Sequence, residues 1–326
     1  MLTQGLLYGS GWSICGSPFL FAINDWWVER RGLAYGILFG ASGVSGLIIP
    51  VGVDWLLQRY DFRVALRVYA LVILVIGGPA FLLIKPRLGT STRTPDAPKK
   101  ASRSLFGTLL LFTKDVNFYL FIFAIFLQGL SFFIPRIYIP SFATDLGLPN
   151  STRDLLLGLI SLAQMFGQLW QGWISDKVNI YIPVSLSALI PGIAALALWG
   201  PAKGLARLAP FAIIWGFFSA SYTVLFTRIC TFLASTQSSA SLGSVDSEEM
   251  TMLLYGFFSF ERGVSAALEG PISSWLIGGT REDSAVNLSE WALGRYTAMV
   301  WFTAICMLAS GASGVGYFWT FRRRKG

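Results

Sequence analysis

Apolar runs of about twenty residues recur along this chain, and they constrain its fold more than any other feature. Two of them are "VALRVYALVILVIGGPAFLLI" (Val64–Ile84) and "FYLFIFAIFLQGLSFFIP" (Phe118–Pro135). Each is close to the ~20 residues an α-helix needs, at ~1.5 Å per residue, to cross a bilayer's hydrocarbon core. Backbone groups in hydrocarbon must be satisfied internally, so such runs become helices. No ten-residue alternation recurs, which argues against a membrane barrel. Charged residues make up only 13% of the 326, about half of the roughly 25% in soluble domains. The expectation is an all-α, polytopic membrane protein.

Reading forward gives about nine spans. They lie near Leu2–Ile23, Leu33–Leu57, Val64–Ile84, Phe118–Phe142, Leu155–Ile174, Ile182–Gly200, Leu208–Phe232, Met252–Ile277 and Thr297–Phe318. Met1 opens straight into an apolar run, with no basic region before it and no small-residue cleavage site after it, so the first run reads as a span and not as a signal peptide. The longest hydrophilic stretch, rich in Lys, Arg, Ser, Thr and Pro, divides the chain into residues 1–84 with three helices, a linker over 85–115, and 116–326 with six.

Orientation has two independent signals. With the C-terminal "RRRKG" placed in the cytoplasm, the loops on its side carry most of the Lys and Arg, among them Arg30, Arg31, Lys99 and Lys100; the excess fits the positive-inside rule. The sequons at Asn150 and Asn287 then both fall outside, where alone they can be glycosylated. A multi-pass protein, most simply of the plasma membrane, follows. The net charge of +8 sits mainly in these loops, so it reads as topology and not as a nucleic-acid patch. Cys15, Cys230 and Cys306 lie scattered inside apolar runs, without disulfide or zinc spacing. With no histidine, no nucleophile constellation and no nucleotide loop, neither an enzyme nor a metal or cofactor site is expected.

The stretch "NDWWVERRGLAYG" (Asn24–Gly36) joins two apolar, glycine-rich runs. Its indoles suit a membrane interface, and Arg30 and Arg31 hold a cytoplasmic turn; the cluster's other reading is a gate component that pairs with the other half. Small residues let helices approach closely, and Gly5 and Gly9 are expected to meet Gly36 and Gly40. The string Trp26-Trp27, Arg30-Arg31, Leu33-Ala34-Tyr35-Gly36, then Gly40, Gly43, Gly46 and Pro50, resembles the fourth and fifth helices of the major facilitator superfamily, in its fungal monocarboxylate-permease-like branch. "GWISDK" (Gly172–Lys177) is similar to the family's Gly-x-x-x-Asp-Lys/Arg loop motif, without its trailing basic residues.

The resemblance implies helices four to twelve of a twelve-helix bundle. The family's first three helices have no counterpart here. Such folds carry substrate at the midplane between two rocking halves. A secondary active transporter of a small organic anion is therefore implied, with a proton as candidate coupling ion. Two other readings stay open: an exporter of a larger secondary metabolite, and a remnant that does not transport. The resemblance also implies that Asp176, followed by Lys177, faces the start of a helix in the other half, near Gly32–Tyr35 and within reach of Arg30 or Arg31.

Charges within spans are costly and are candidate functional groups. Arg136 lies in "FFIPRIYIP", between two prolines; Arg228 in "VLFTRICTF"; Glu261, Arg262 and Glu269 in "FSFERGVSAALEGP". An arginine's planar fork matches a carboxylate, and a buried glutamate could carry the proton; Glu269, on one helix face with Arg262, is its expected resting counter-ion. The competing reading is a structural ion pair or a snorkelling side chain. Gln164 and Gln168 share a face; bonding a neighbouring helix is the stronger reading for them, and substrate contact the other.

Overall fold

The computed structural model describes residues 8–27, 29–83, 112–113, 115–220, 222–240, 247–278 and 291–325, the last eleven and parts of some other helices by backbone alone. The 85–115 linker, apart from 112–113 and 115, and the Asn287 sequon lie outside the described residues. So do the side chains of the C-terminal basic run. Eleven helices are described: α1 (Tyr8–Trp26), α2 (Arg31–Arg59), α3 (Phe62–Leu82), α4 (Val116–Ser131), α5 (Ile134–Asp145), α6 (Asn150–Ser175), α7 (Tyr181–Ala194), α8 (Leu205–Ile214), α9 (Tyr222–Ala240), α10 (Ser247–Gly278) and α11 (Thr297–Lys325). Six stretches among the described residues are long and apolar enough to cross a membrane. α6 and α10 fall outside that group, and they carry the two glutamines, Glu261, Arg262 and Glu269.

Two of the expected runs are interrupted, each for a local reason. The run from Val116 to Asp145 breaks at Phe132 and Phe133. Pro135 donates no backbone hydrogen bond and its ring crowds the carbonyl four residues back, at Ser131, the last residue of α4. Arg136 therefore sits in the first turn of a new helix. The second run leaves α8 through a π turn, Trp215–Ser219, before α9 begins. A similar π turn, Ala195–Trp199, ends α7.

α2 packs along α6 through its glycines. A Cβ on Gly36 would lie 2.7 Å from the Gln168 carbonyl oxygen, and one on Gly43 2.7 Å from the Met165 nitrogen. This corrects the expected pairing of Gly36 and Gly40 with Gly9: both face α6, while a Cβ on Gly9 would meet nothing within 4 Å; Gly5 lies outside the described residues. The reason is that Gly172 of α6 offers a matching small position against Gly32 and Gly36, so backbones approach on that side.

Two buried apolar clusters fill the bundle. One gathers Ile134, Phe142, Trp199, Phe211, Trp215, Tyr296 and Met299; the other gathers Phe121, Tyr181, Tyr222, Leu225, Ile229, Leu254 and Phe258. Between the segments that belong to each cluster, the helices change character. α4 has Gln128 there, α10 has Arg262 and Ser265, and the α8–α9 run has Ser219, all buried or half-buried. A polar layer thus lies across the middle of an apolar bundle. Outside it, α3 turns Leu71, Leu74 and Ile76 outward, a surface suited to lipid.

Candidate functional site

The polar layer centres on Arg262. Its Nη1 donates to Gln128 Oε1 at 2.7 Å, and its guanidinium lies 4.8 Å from the centre of the Phe132 ring. Close approach of α4 and α10 makes this contact possible: a Cβ on Gly129 would overlap Ser265 Oγ. The expected resting pair of Arg262 with Glu269 is corrected, because no direct ion pair joins them; Arg262 rests on a neutral amide and an aromatic face instead. Glu269 is 2% exposed and its carboxylate oxygens make no hydrogen bond of normal geometry. It lies beside the backbone amides of Phe133 and Ile134, where the first turn of α5 favours negative charge. The helix break at Pro135 creates that turn, and so serves Glu269 as well as Arg136. Glu261 is half-buried, and its carboxylate oxygens too have no partner among the described residues.

Arg136 joins a second group, along the α2–α6 seam. Its Nη2 donates to Gln164 Oε1 at 3.2 Å and to Ser161 Oγ at 3.4 Å. Gln164 Nε2 donates to Ser42 Oγ at 3.0 Å, and Ser161 Oγ to the Gly46 carbonyl at 3.3 Å. One turn on, Gln168 Nε2 donates to Thr223 Oγ1 at 3.2 Å and to the Ala220 carbonyl at 3.4 Å. Gln164 and Gln168 thus bond neighbouring helices, and Gln164 also receives an arginine.

At one end of the bundle Asp176 caps α2. Its carboxylate accepts from the Gly32 and Leu33 amides at 2.9 and 3.0 Å, so the expected position near Gly32–Tyr35 is where the structure has it. The cation beside it is Arg228, at 3.7 Å, which also donates to the Ser175 carbonyl at 3.2 Å. Arg228 therefore joins this helix-end cluster and stands apart from Arg136 and Arg262, contrary to its expected place among them. Arg31 Nε donates to the Trp27 carbonyl, Arg30 is exposed, and Lys177 covers the Trp173 ring at 3.8 Å. At the opposite end Tyr296 donates to Asp145 at 2.6 Å. Asn150 opens α6 and is exposed.

Gln128, Ser42 and Thr223 were not singled out from sequence. The signal for Gln128 was present: a lone amide in "FIFAIFLQGL", where an apolar span gives it no partner of its own.

A sequence model of the Major Facilitator Superfamily matches residues 3–247. Among the similar proteins, "MFS-type transporter 1" of Ophiocordyceps sp. is 30% identical over 225 residues, which are 69% of this chain and 48% of that protein. The "Fujikurins efflux protein" of Gibberella fujikuroi is 29% identical over 226 residues, 69% of this chain and 47% of that protein. "Monocarboxylate transporter 12-B" of Danio rerio is 23% identical, over 94% of this chain and 65% of its own length. The chain spans about half the length of the first two of these relatives.

Proposed function

The chain belongs to the Major Facilitator Superfamily, and from that premise we propose that it serves as a secondary active transporter of a small organic anion. One observation carries the reading. Arg262 and Arg136 lie in a multi-pass membrane protein and rest on amides, hydroxyls and an aromatic ring, and among the described residues neither forms an ion pair with a carboxylate. A cation at the bilayer centre costs roughly 2.5–3.5 kcal/mol on insertion scales and calls for a counter-charge. A transported carboxylate supplies it, and the arginine fork matches its geometry.

In this reading Arg262 and Arg136 bind the anion from a shared central cavity, and Gln164 and Gln168 line its edge. Glu269, buried beside the Phe133 and Ile134 amides, carries the coupled proton, with Glu261 as the second acidic candidate. Residues 1–84 and 116–326 belong to opposing halves joined by the 85–115 linker, and they rock about the α2–α6 seam. Asp176, Arg228, Arg30, Arg31 and Lys177 form the latch on the cytoplasmic side. Asn150 and Asn287 then face outward as glycosylation sites, and the plasma membrane is the simplest location.

A second reading, export of a larger secondary metabolite, is favoured by the fungal relative named for fujikurin efflux. Uptake into proteoliposomes separates the two. Radiolabelled pyruvate should accumulate saturably, compete with other small carboxylates and move faster with acid outside. Glu269→Gln should keep pyruvate exchange and lose the response to the proton gradient. No saturable carboxylate flux, together with movement of a large neutral metabolite, would favour the exporter.

A further inference from the structure

The amide of Gln128 is held from both ends. Its Nε2 donates to the Ser219 carbonyl at 3.4 Å, its Oε1 accepts from Arg262 at 2.7 Å, and the side chain is fully buried. Ser219 is the last residue of the π turn that ends α8. In such a turn hydrogen bonds run to the fifth residue, here from the Ala220 amide to the Trp215 carbonyl at 3.4 Å. Two successive carbonyls at its end, those of Ser219 and Ala220, accept from glutamine amides of two other helices, Gln128 of α4 and Gln168 of α6.

A carbonyl can only accept, so it selects the N–H end of an amide and turns the amide oxygen the other way. For Gln128 that direction is Arg262. We propose that Gln128 is the positioning residue for Arg262: the Ser219 carbonyl orients the amide, and the amide oxygen fixes the guanidinium against Phe132 without neutralising it. The proposal rests on the reading of Arg262 as the anion site.

Neutrality is the essential property of this partner. An amide oxygen satisfies one guanidinium donor and leaves the charge available. A carboxylate at the same place would form a charge-assisted pair and act as a resident anion. It would also set an acceptor against the Ser219 carbonyl. Glu269, two turns along the same helix, forms no direct ion pair with Arg262 and acts on it only through space.

The test compares wild type, Gln128→Leu and Gln128→Glu as full chains in detergent. Phenylglyoxal modification of Arg262 and Arg136 is followed in the same molecules by mass spectrometry. Loss of a hydrogen bond to a charged group should raise the Arg262 rate about tenfold in Gln128→Leu. Gln128→Glu should lower it, and Arg136 should react as in wild type in both. An unchanged Arg262 rate in Gln128→Leu, or a parallel rise at Arg136 from general loosening, overturns the proposal. Pyruvate uptake supplies a second arm. Gln128→Leu should raise KM more than it lowers the maximal rate, and its effect should vanish in an Arg262→Lys background, because coupled residues are not additive. Independent, multiplicative effects would count against positioning. If Arg262→Ala leaves pyruvate uptake unchanged, the anion-site reading fails by itself, while the labelling rate at Arg262 still decides the role of Gln128.

Discussion

At the scale of single residues, the partners of each intramembrane charge decide what it can do. Arg228 sits in an ion-pair cluster with Asp176, so its charge is already answered, whereas Arg262 and Arg136 are satisfied by neutral groups. Asp176 takes two backbone amides at the start of α2, where unpaired N–H groups and the helix dipole favour a carboxylate. Asp176→Ala removes both acceptors and should destabilise the protein by about 3 kcal/mol, the low end for two hydrogen bonds to a charged group at roughly 1.5–3 kcal/mol each. Asp176→Asn keeps one acceptor and should lose less. Thermal unfolding in detergent reads both, and equal losses would show that the amide contacts contribute little. Asp176 was legible because its motif names it. The choice of Arg228 over Arg30 or Arg31 as its ion partner was not, because α9 reaches this corner only through tertiary packing.

At the scale of elements, the α2–α6 seam and the interrupted runs matter most. The glycines of α2 were legible as a packing face, since small residues at helical spacing have that use in membranes. Their partner was not, because sequence proximity pointed to α1 and the matching Gly172 lies far along the chain. The seam makes a contrast in sign testable. At Gly43 an added Cβ falls 2.7 Å from Met165 N, while at Gly52 it meets nothing within 4 Å. Gly43→Ala should therefore destabilise by about 1–3 kcal/mol through overpacking. Gly52→Ala should stabilise by about 0.5–1 kcal/mol, because alanine loses less backbone freedom in a helix. Melting temperatures that move together would remove the seam as the reason. The break before Pro135 was half legible: the proline predicts weakening, but not that Glu269 of α10 would lie beside the new helix start. The π turn at Trp215–Ser219 has no sequence signal at all, and with it the role of Gln128 stayed hidden.

At the scale of the molecule, long apolar runs make an all-α membrane bundle legible from the start, and both charge and sequons propose its orientation. Cysteines placed at Asn150 and at Lys99 test that orientation in intact cells. A membrane-impermeant maleimide should label the first and spare the second, and the reverse pattern would invert the topology. The proposed anion site centres on the polar layer across the bundle, where Arg262 rests on neutral partners between two apolar clusters. The claim that this layer binds an organic anion is tested most directly by ligand-dependent stability. A ligand that binds only the folded state stabilises it by about 2.7 kcal/mol at a hundredfold excess over Kd. Pyruvate, compared with chloride at equal ionic strength, should raise the melting temperature of the wild-type protein and leave that of Arg262→Ala unmoved, with Arg262→Lys between them. If Arg262→Ala keeps the full pyruvate-dependent shift, the anion does not bind at Arg262 and the account is contradicted.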